Sequence, residues 1–383
     1  MARPAPLVML AAGEASGDQH AASLFLELKK LVPDVRGIGM GGVKMREAGV
    51  VIRYDSTAIA VIGATEVIKH YGEIRRALKM MQQIARDERP DLLICVDYKE
   101  FNFRLARAAK AAGVKVLFYV SPQVWAWRPG RVKKYGEAVD RMAVIFPFEV
   151  PFYEAHQIPV SYVGHPLAGQ VVPSIPKAQA LSEFDLETTG PVIGLLPGSR
   201  SNEIRRLLPV MLDAAAMLAQ RLPDARFILS QSSSIEDEML RPNLRQCPVN
   251  IRVIKGRNYD VLQCCDAVVT VSGTATLEVA LSGVPMAIIY KVTPITYYLG
   301  RWLINIPFIG LPNILAGRSI VREFIQHEAT AENIAGEIGR ILQDEAYAER
   351  IRQDLREVKT SLGEGGGSRK LARLAAEMLG VSV

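Results

Sequence analysis

The chain has 383 residues, 49% of them hydrophobic and 22% charged, a length that suits two domains and a composition that excludes a disordered protein. Its 30 glycines and 22 prolines are scattered, which excludes collagen-like and low-complexity segments. A formal charge of +6 allows an anionic partner, yet there is neither zinc-finger spacing nor a basic stripe interleaved with aromatics, so nucleic acid is the weaker choice.

The first apolar run, Leu7–Ala12, imitates the core of a signal peptide. Pro4 and Pro6 flank it, however, and Glu14 and Asp18 stand where a cleavage site would fall, so it reads as a first strand. The strand ends in Gly13-Glu14-Ala15-Ser16-Gly17-Asp18 and a helical stretch follows. Gly13 and Gly17 relieve backbone crowding, and Ser16 or Asp18 suits a helix cap; a ligand loop is an equal reading. Further on, Val67, Tyr71, Ile74, Leu78 and Met81 recur at helical steps as one narrow apolar stripe. Packing on a core is the usual fate of such a stripe, and insertion at an anionic lipid surface is the alternative. No run reaches the ~18 apolar residues of a membrane-spanning helix.

Leu92–Val96, Val116–Val120 and Met142–Phe146 read as buried parallel strands. Asp97 directly follows the first of these. Its carboxylate either caps the next helix or projects from the strand end as a general base. Ser121–Arg128 carries Trp125 and Trp127, which suit a sugar face or a core equally.

After Gly164-His165-Pro166 the rhythm lapses, then restarts at Val192–Leu196 and continues through Phe227–Leu229, Ile251–Ile254, Ala267–Val271 and Met286–Tyr290. An alternation interrupted once predicts an α/β chain of two doubly wound domains facing a central cleft. The boundaries drawn are 1–168, a linker at 169–189, and 190–368. Helical stretches follow at Ala331–Leu342 and Ala346–Val358; Gly363 and Gly365–Gly367 then break the pattern, so that a last helix, 369–383, returns to the first domain.

Three loops of the second half carry ligand chemistry. Pro197-Gly198-Ser199-Arg200, with Glu203 three residues on, offers backbone N–H groups, a hydroxyl and a guanidinium at a helix start. Ser272-Gly273-Thr274 lets a diphosphate approach the next helix, with Glu278 about one turn inside it and within reach of a ribose diol. Asn313 and Arg318 lie in Leu311–Arg318, which is a nucleotide contact or a surface turn. Four cysteines without a C-x-x-C and five histidines without metal spacing give no case for a disulfide framework or a metal site.

Together, Gly13–Asp18, Val96–Asn102, Ser121–Arg128, Val163–Pro166, Leu196–Arg200, Ser272–Glu278 and Pro312–Arg318 keep an order and spacing that resembles the lipid-A-disaccharide synthases, a family of GT-B glycosyltransferases. Glu100 is one departure, at a place where the family pattern carries Asp. The resemblance implies an inverting transfer without metal or cofactor. UDP-2,3-diacylglucosamine would donate its sugar to the 6-hydroxyl of 2,3-diacylglucosamine 1-phosphate (lipid X), giving a β-1,6 disaccharide and UDP. Carried over by motif, Asp97 is the base. Ser199, Arg200, Ser272, Gly273 and Thr274 hold UDP, Glu278 holds its ribose, and Asn313 orders the nucleotide or donor sugar. Glu14, Ser16 and Asp18 shape the acceptor side. Acylated substrates also tilt the amphipathic stretch toward membrane and acyl contact through Val67, Ile68, Tyr71, Ile74 and Leu78, at the inner face of the cytoplasmic membrane. A homodimer is left open. The rival readings are another GT-B enzyme, such as a UDP-N-acetylglucosamine 2-epimerase, and a non-catalytic nucleotide-sugar or lipid-binding module.

Overall fold

The computed structural model describes residues 5–58, 71–126, 129–187, 189–294, 296–297, 302 and 306–381. They fall into two compact units, Met1–Pro166 with Gly365–Val383, and Leu167–Glu364.

The first unit is built on a seven-stranded sheet: β1 (Leu7–Ala12), β2 (Arg36–Gly41), β3 (Val50–Asp55), β4 (Leu92–Val96), β5 (Lys115–Tyr119), β6 (Arg141–Val144) and β7 (Val160–Tyr162), in the order β3-β2-β1-β4-β5-β6-β7. The second has six strands: β8 (Val192–Leu196), β9 (Arg226–Gln231), β10 (Ile251–Lys255), β11 (Ala267–Val271), β12 (Met286–Tyr290) and β13 (Arg322–Ile325), in the order β10-β9-β8-β11-β12-β13. Every ladder is parallel. Sheets of this kind are covered on both faces, which is why β4, β8 and β11 are buried at every residue. In each unit the order runs outward one way, then resumes on the other side of its first strand. That reversal opens a crevice beyond the carboxyl ends of β1 and β4, and of β8 and β11.

One device starts three of the central strands. Asp91 donates its N–H to Leu7 O at 2.8 Å and accepts from Leu7 N at 2.8 Å. Asp140 does the same with Val116, at 2.9 and 2.8 Å. Asp266 does so with Val192, at 2.8 Å in both directions. Each carboxylate satisfies an N–H at the start of the neighbouring strand, that of the first residue in β1 and β8 and of the second in β5.

The helix Gly367–Met378 packs on the helix Ala15–Leu31, with Arg369 Nε 3.7 Å from Glu27 and Lys115 Nζ donating to Met378 O at 2.7 Å. The stretch drawn as a linker is different in character. It holds a helix, Lys177–Glu183, and Ala180, Phe184 and Leu186 are buried in the core of the second unit. Ser174 adds two hydrogen bonds to Asp260, both 2.6 Å. So short a segment, with few apolar anchors, carries no readable period, although burial fixes it firmly.

The stripe on the helix Tyr71–Glu88 corrects another expectation. Met81 is fully buried, and Ile74 and Leu78 pack, partly buried, against the core of the first unit; Tyr71 alone of the described stripe residues is exposed, at 56%. The stripe is narrow because it fits one groove in that core. Val67 and Ile68 lie outside the described residues.

Replacing Asp266 by Ala leaves Val192 N unpaired and lowers unfolding stability by about 1–2 kcal/mol, while Asp266→Asn, which keeps an acceptor, recovers part of the loss. Urea titration of the three proteins measures both differences.

Candidate active site

In the second unit, loops leaving β8, β9, β10 and β11 enclose a cavity of about 440 Å³. Ser199 and Arg200 line it from β8, Gln231 to Ser233 from β9, Gly256 and Asn258 from β10, and Ser272 to Ala275 with Glu278 from β11. Gln231–Ser233 and Asn258 were not singled out from sequence, although a serine-rich run directly after a buried strand is a signal of the same kind as the loops that were.

Gly198, at φ 103°, turns the chain out of β8. The helix Ser201–Arg221 then starts at Arg200, whose side chain makes no cap hydrogen bond. The Glu203 carboxylate accepts from Ser199 N at 3.1 Å and Arg200 N at 3.2 Å. This corrects the expectation that those N–H groups are offered to a ligand, because Glu203 already holds them. What remains at the rim is the Ser199 hydroxyl and the Arg200 guanidinium. Arg200 is 73% exposed and rests 3.2 Å from Glu203, an ion pair weak enough in solvent for a phosphate to displace.

The helix Thr274–Ser282 begins at Gly273, φ 145°, with no side-chain cap, and a Cβ at Gly273 would meet nothing within 4 Å. Ser272 Oγ donates to Ile309 O at 2.9 Å and Thr276 Oγ1 to Gly273 O at 2.7 Å, which set the turn. The helix start thus opens directly on the cavity, its dipole favouring negative charge. One turn on, Glu278 accepts from Asn258 Nδ2 and Tyr259 Oη, both at 3.1 Å. Burial pushes its carboxyl up, with the Tyr259 bond opposing, and the Tyr259 phenol is itself pushed up to about 12. Each carboxylate oxygen has spent one acceptor position, leaving one apiece for a pair of hydroxyls.

Asn313 does not face this cavity. It is fully buried; Nδ2 donates to Val321 O at 2.9 Å and Glu323 Oε1 at 2.7 Å, and Oδ1 accepts from Ile320 N at 2.8 Å and Val321 N at 3.0 Å. Both hydrogens and both lone pairs of the amide are used, so its work is to fix the helix Leu311–Ala316 to the approach of β13. Arg318 is likewise taken, by Asp354 at 3.0 and 2.7 Å.

In the first unit, polar side chains gather at the carboxyl ends of the strands. Asp97 and Tyr98 leave β4 with φ 47° each. The Asn102 amide holds that turn by donating to Ala11 O, Val96 O and Asp97 O at 3.1, 3.2 and 2.7 Å. The Tyr98 ring covers Gly13, where a Cβ would overlap it. Glu14 and Ser16 are exposed at the start of the helix Ala15–Leu31. Asp18 is not available in the same way. It is 6% exposed and accepts from Gly42 N, Lys44 N and Met45 N at 2.7, 2.9 and 3.1 Å, capping the short helix Val43–Glu47. The acceptor-side expectation for Asp18 is therefore corrected to an anchoring one. Glu100 pairs with Arg131 at 2.9 Å on the surface.

Two histidines absent from the sequence-derived site lie in the first unit, His20 within reach of the charge of Asp97 and His165 within reach of His20. His20 sets its ring edge toward Tyr119, centroids 6.2 Å apart; burial lowers its pKa and the charge of Asp97 opposes the fall. His165 stacks on Phe146 at 5.1 Å, and burial, with His20 adding to it, brings it down to about 4. Behind them Glu149, 1% exposed, accepts from Ser121 Oγ, from Trp125 Nε1 at 3.2 Å and from Phe146 N at 3.1 Å. Trp125 is thereby tied in place, whereas Trp127 and Arg128 lie outside the described residues. Among the described residues no three His, Cys, Asp or Glu side chains gather as a metal site would.

Two parallel-sheet α/β units, each with the Rossmann strand order and a cavity at the reversal point of the second, define a GT-B protein. A sequence profile for lipid-A-disaccharide synthetase matches residues 8–378. Lipid-A-disaccharide synthase of Geobacter sulfurreducens is 52% identical over 376 residues, 98% of each chain. Among solved structures, a putative UDP-N-acetylglucosamine 2-epimerase from Listeria monocytogenes is similar with a TM-score of 0.65 at 14% identity, covering 98% of this chain and 96% of that one. The glycotransferase of kitacinnamycin is similar with a TM-score of 0.63 at 16% identity, covering 98% and 100%. The chain belongs to the lipid-A-disaccharide synthase family, and at these low identities the epimerase and glycotransferase share its fold alone.

A histidine held neutral by burial binds its proton more readily in the unfolded chain, so its contribution is complete above pH 6.5 and is lost as pH falls toward about 4. Over that window His165→Gln flattens the decline in unfolding stability, by about 3 kcal/mol at its acid end. Denaturation midpoints of both proteins across the window test this.

Proposed function

We propose that this chain joins the diacylglucosamine of UDP-2,3-diacylglucosamine to 2,3-diacylglucosamine 1-phosphate, releasing UDP. The observation that carries the reading is the match between the second-unit cavity and a nucleoside diphosphate. A diphosphate suits the uncapped start of Thr274–Ser282, with Arg200 and Ser199 beside it, and a ribose diol suits the two unspent acceptor positions of Glu278.

In the reaction so assigned, the acceptor 6-oxygen attacks the anomeric carbon from the face opposite UDP. The bond from that carbon to the β-phosphate oxygen breaks, which inverts the centre. The hydroxyl proton passes to the Asp97 carboxylate, and the charge gathering on UDP is met by Arg200 and the helix dipole. Asp97 leaves β4 at the reversal point of the first sheet, where its turn is held by Asn102. Glu14 and Ser16, exposed at the neighbouring strand end, suit the acceptor's hydroxyls.

Mass spectrometry after supplying the UDP-sugar with and without the lipid acceptor tests the reading. A disaccharide formed only with acceptor supports it; epimerisation of the UDP-sugar without acceptor overturns it. Asp97→Asn lowers kcat about a hundredfold or more with UDP affinity unchanged, and near-normal turnover removes Asp97 as the base.

We place the enzyme at the inner face of the cytoplasmic membrane, because acyl chains are costly to bring into water. Among the described residues no helix is long and apolar enough to cross a membrane. With Ile74 and Leu78 turned to the core, surface contact is assigned to exposed Tyr71, near Arg75, Arg76 and Lys79 on the same helix. Tyr71→Glu reduces flotation with anionic vesicles roughly fivefold; unchanged flotation counts against this surface.

A further inference from the structure

A second concavity of the unit Leu167–Glu364, of about 390 Å³, shares no lining residue with the first. Its charged wall comes from three elements: Arg206 on the helix Ser201–Arg221, Lys291 just past β12, and His327 just past β13. The sheet places the last two together. Tyr290 pairs with Ile325 at the end of the β12–β13 ladder, so Lys291 and Gln326 leave the sheet side by side. Gln326 then clamps the outgoing loop, its Oε1 accepting from Val292 N at 2.7 Å and its Nε2 donating to Val292 O at 3.1 Å. The concavity is thus built from ordered backbone rather than from chance neighbours on a surface.

Its electrostatics are unbalanced. Among the described residues no Asp or Glu lines it. Elsewhere in the same unit arginines sit on carboxylates: Arg257 on Asp260 at 2.9 Å, Arg318 on Asp354 at 2.7 Å, Arg352 on Glu345 at 3.0 Å. Among the described residues neither Arg206 nor Lys291 has such a partner. Two cations facing one small space repel each other, and an anion between them turns that cost into attraction. We propose that Arg206, Lys291 and His327 form a second anion site, which takes a phosphate monoester. A monoester near neutral pH carries close to two negative charges and three terminal oxygens, matching two cations and three donor groups, whereas a diester or carboxylate offers only two such oxygens. Val292 and Pro294 add an apolar wall for the carbon skeleton that bears the phosphate.

That chemistry is shared by a sugar 1-phosphate and by the headgroup of phosphatidic acid; the first source rests on the acceptor assigned above. The full-length protein, with UDP saturating the other cavity, is titrated with N-acetylglucosamine 1-phosphate and, separately, floated with phosphatidylcholine vesicles with and without phosphatidic acid. The double variant Arg206→Gln/Lys291→Gln is compared with Arg205→Gln/Arg226→Gln, which removes equal charge outside the concavity. A loss of about tenfold or more in sugar-phosphate affinity, confined to the first variant, supports the site with a sugar source. The same selective loss seen only with phosphatidic acid vesicles supports it with a lipid source. Binding of neither probe, or equal binding by both variants, overturns it. Turnover separates this inference from the proposed function. If the wild-type chain makes no disaccharide but the selective loss is seen, the functional reading falls and the site stands. If disaccharide forms and the first variant changes neither probe binding nor the KM for phosphorylated acceptor, the site falls and the function stands.

Discussion

Parallel pairing is the constraint from which the rest of this molecule follows. Two parallel strands cannot be joined by a tight turn, so each strand is followed by a crossover, and all strands of a sheet end at the same edge. In both units the order reverses beside the first strand, so the loops leaving β1 and β4, and those leaving β8 and β11, diverge instead of closing over one another. The second unit carries its larger concavity there. The opposite edge holds the strand-starting aspartates, Asp91, Asp140 and Asp266. Stability devices and ligand chemistry thus occupy different edges of the same sheets.

The loops at the carboxyl edge divide their polar groups between building and binding. Glu203 consumes backbone N–H groups that shape the turn after β8, and Asn313 spends its whole amide on the approach to β13. The start of Thr274–Ser282 and half the acceptor capacity of Glu278 are left over. Polarity by itself does not separate the two kinds of residue; the hydrogen bonds already made do.

That distinction explains what was legible in the sequence. The runs Leu7–Ala12, Leu92–Val96, Val192–Leu196, Ala267–Val271 and Met286–Tyr290 are strands with the same ends, since apolar stretches buried on both faces leave little choice of register or length. β2 was invisible because it alternates glycine, Arg36-Gly-Ile-Gly-Met-Gly, where a weak strand former is required: a Cβ on Gly37 would lie 2.6 Å from the Phe25 ring. β7 and β13, of three and four residues, are too short to carry a period. For the candidate site, the motifs pointed to the cavity loops, and Ser199, Arg200, Ser272, Gly273, Thr274 and Glu278 line one space. They gave no warning that Asp18 and Asn313 turn inward: the Asp18 bonds to Gly42, Lys44 and Met45 N–H groups reach 24 or more residues away, and those of Asn313 reach Ile320, Val321 and Glu323 across a turn. The stripe on Tyr71–Glu88 posed the same problem, as a core groove and a lipid surface ask for one periodicity.

The turn after β4 has a consequence for how this protein can change. Asp97 and Tyr98 both hold a left-handed backbone, which costs a residue with a Cβ roughly 1–2 kcal/mol. Glycine is free of that cost and adds only about 0.5–1 kcal/mol of chain entropy to the unfolded state. A library selected for heat resistance alone would therefore drift toward glycine at Asp97, discarding the carboxylate, but not at Tyr98, whose ring packs on the core and on Phe101. Under selection for turnover the drift would be blocked at Asp97 if that carboxylate is the base, so at this one turn durability and catalysis draw the sequence in opposite directions.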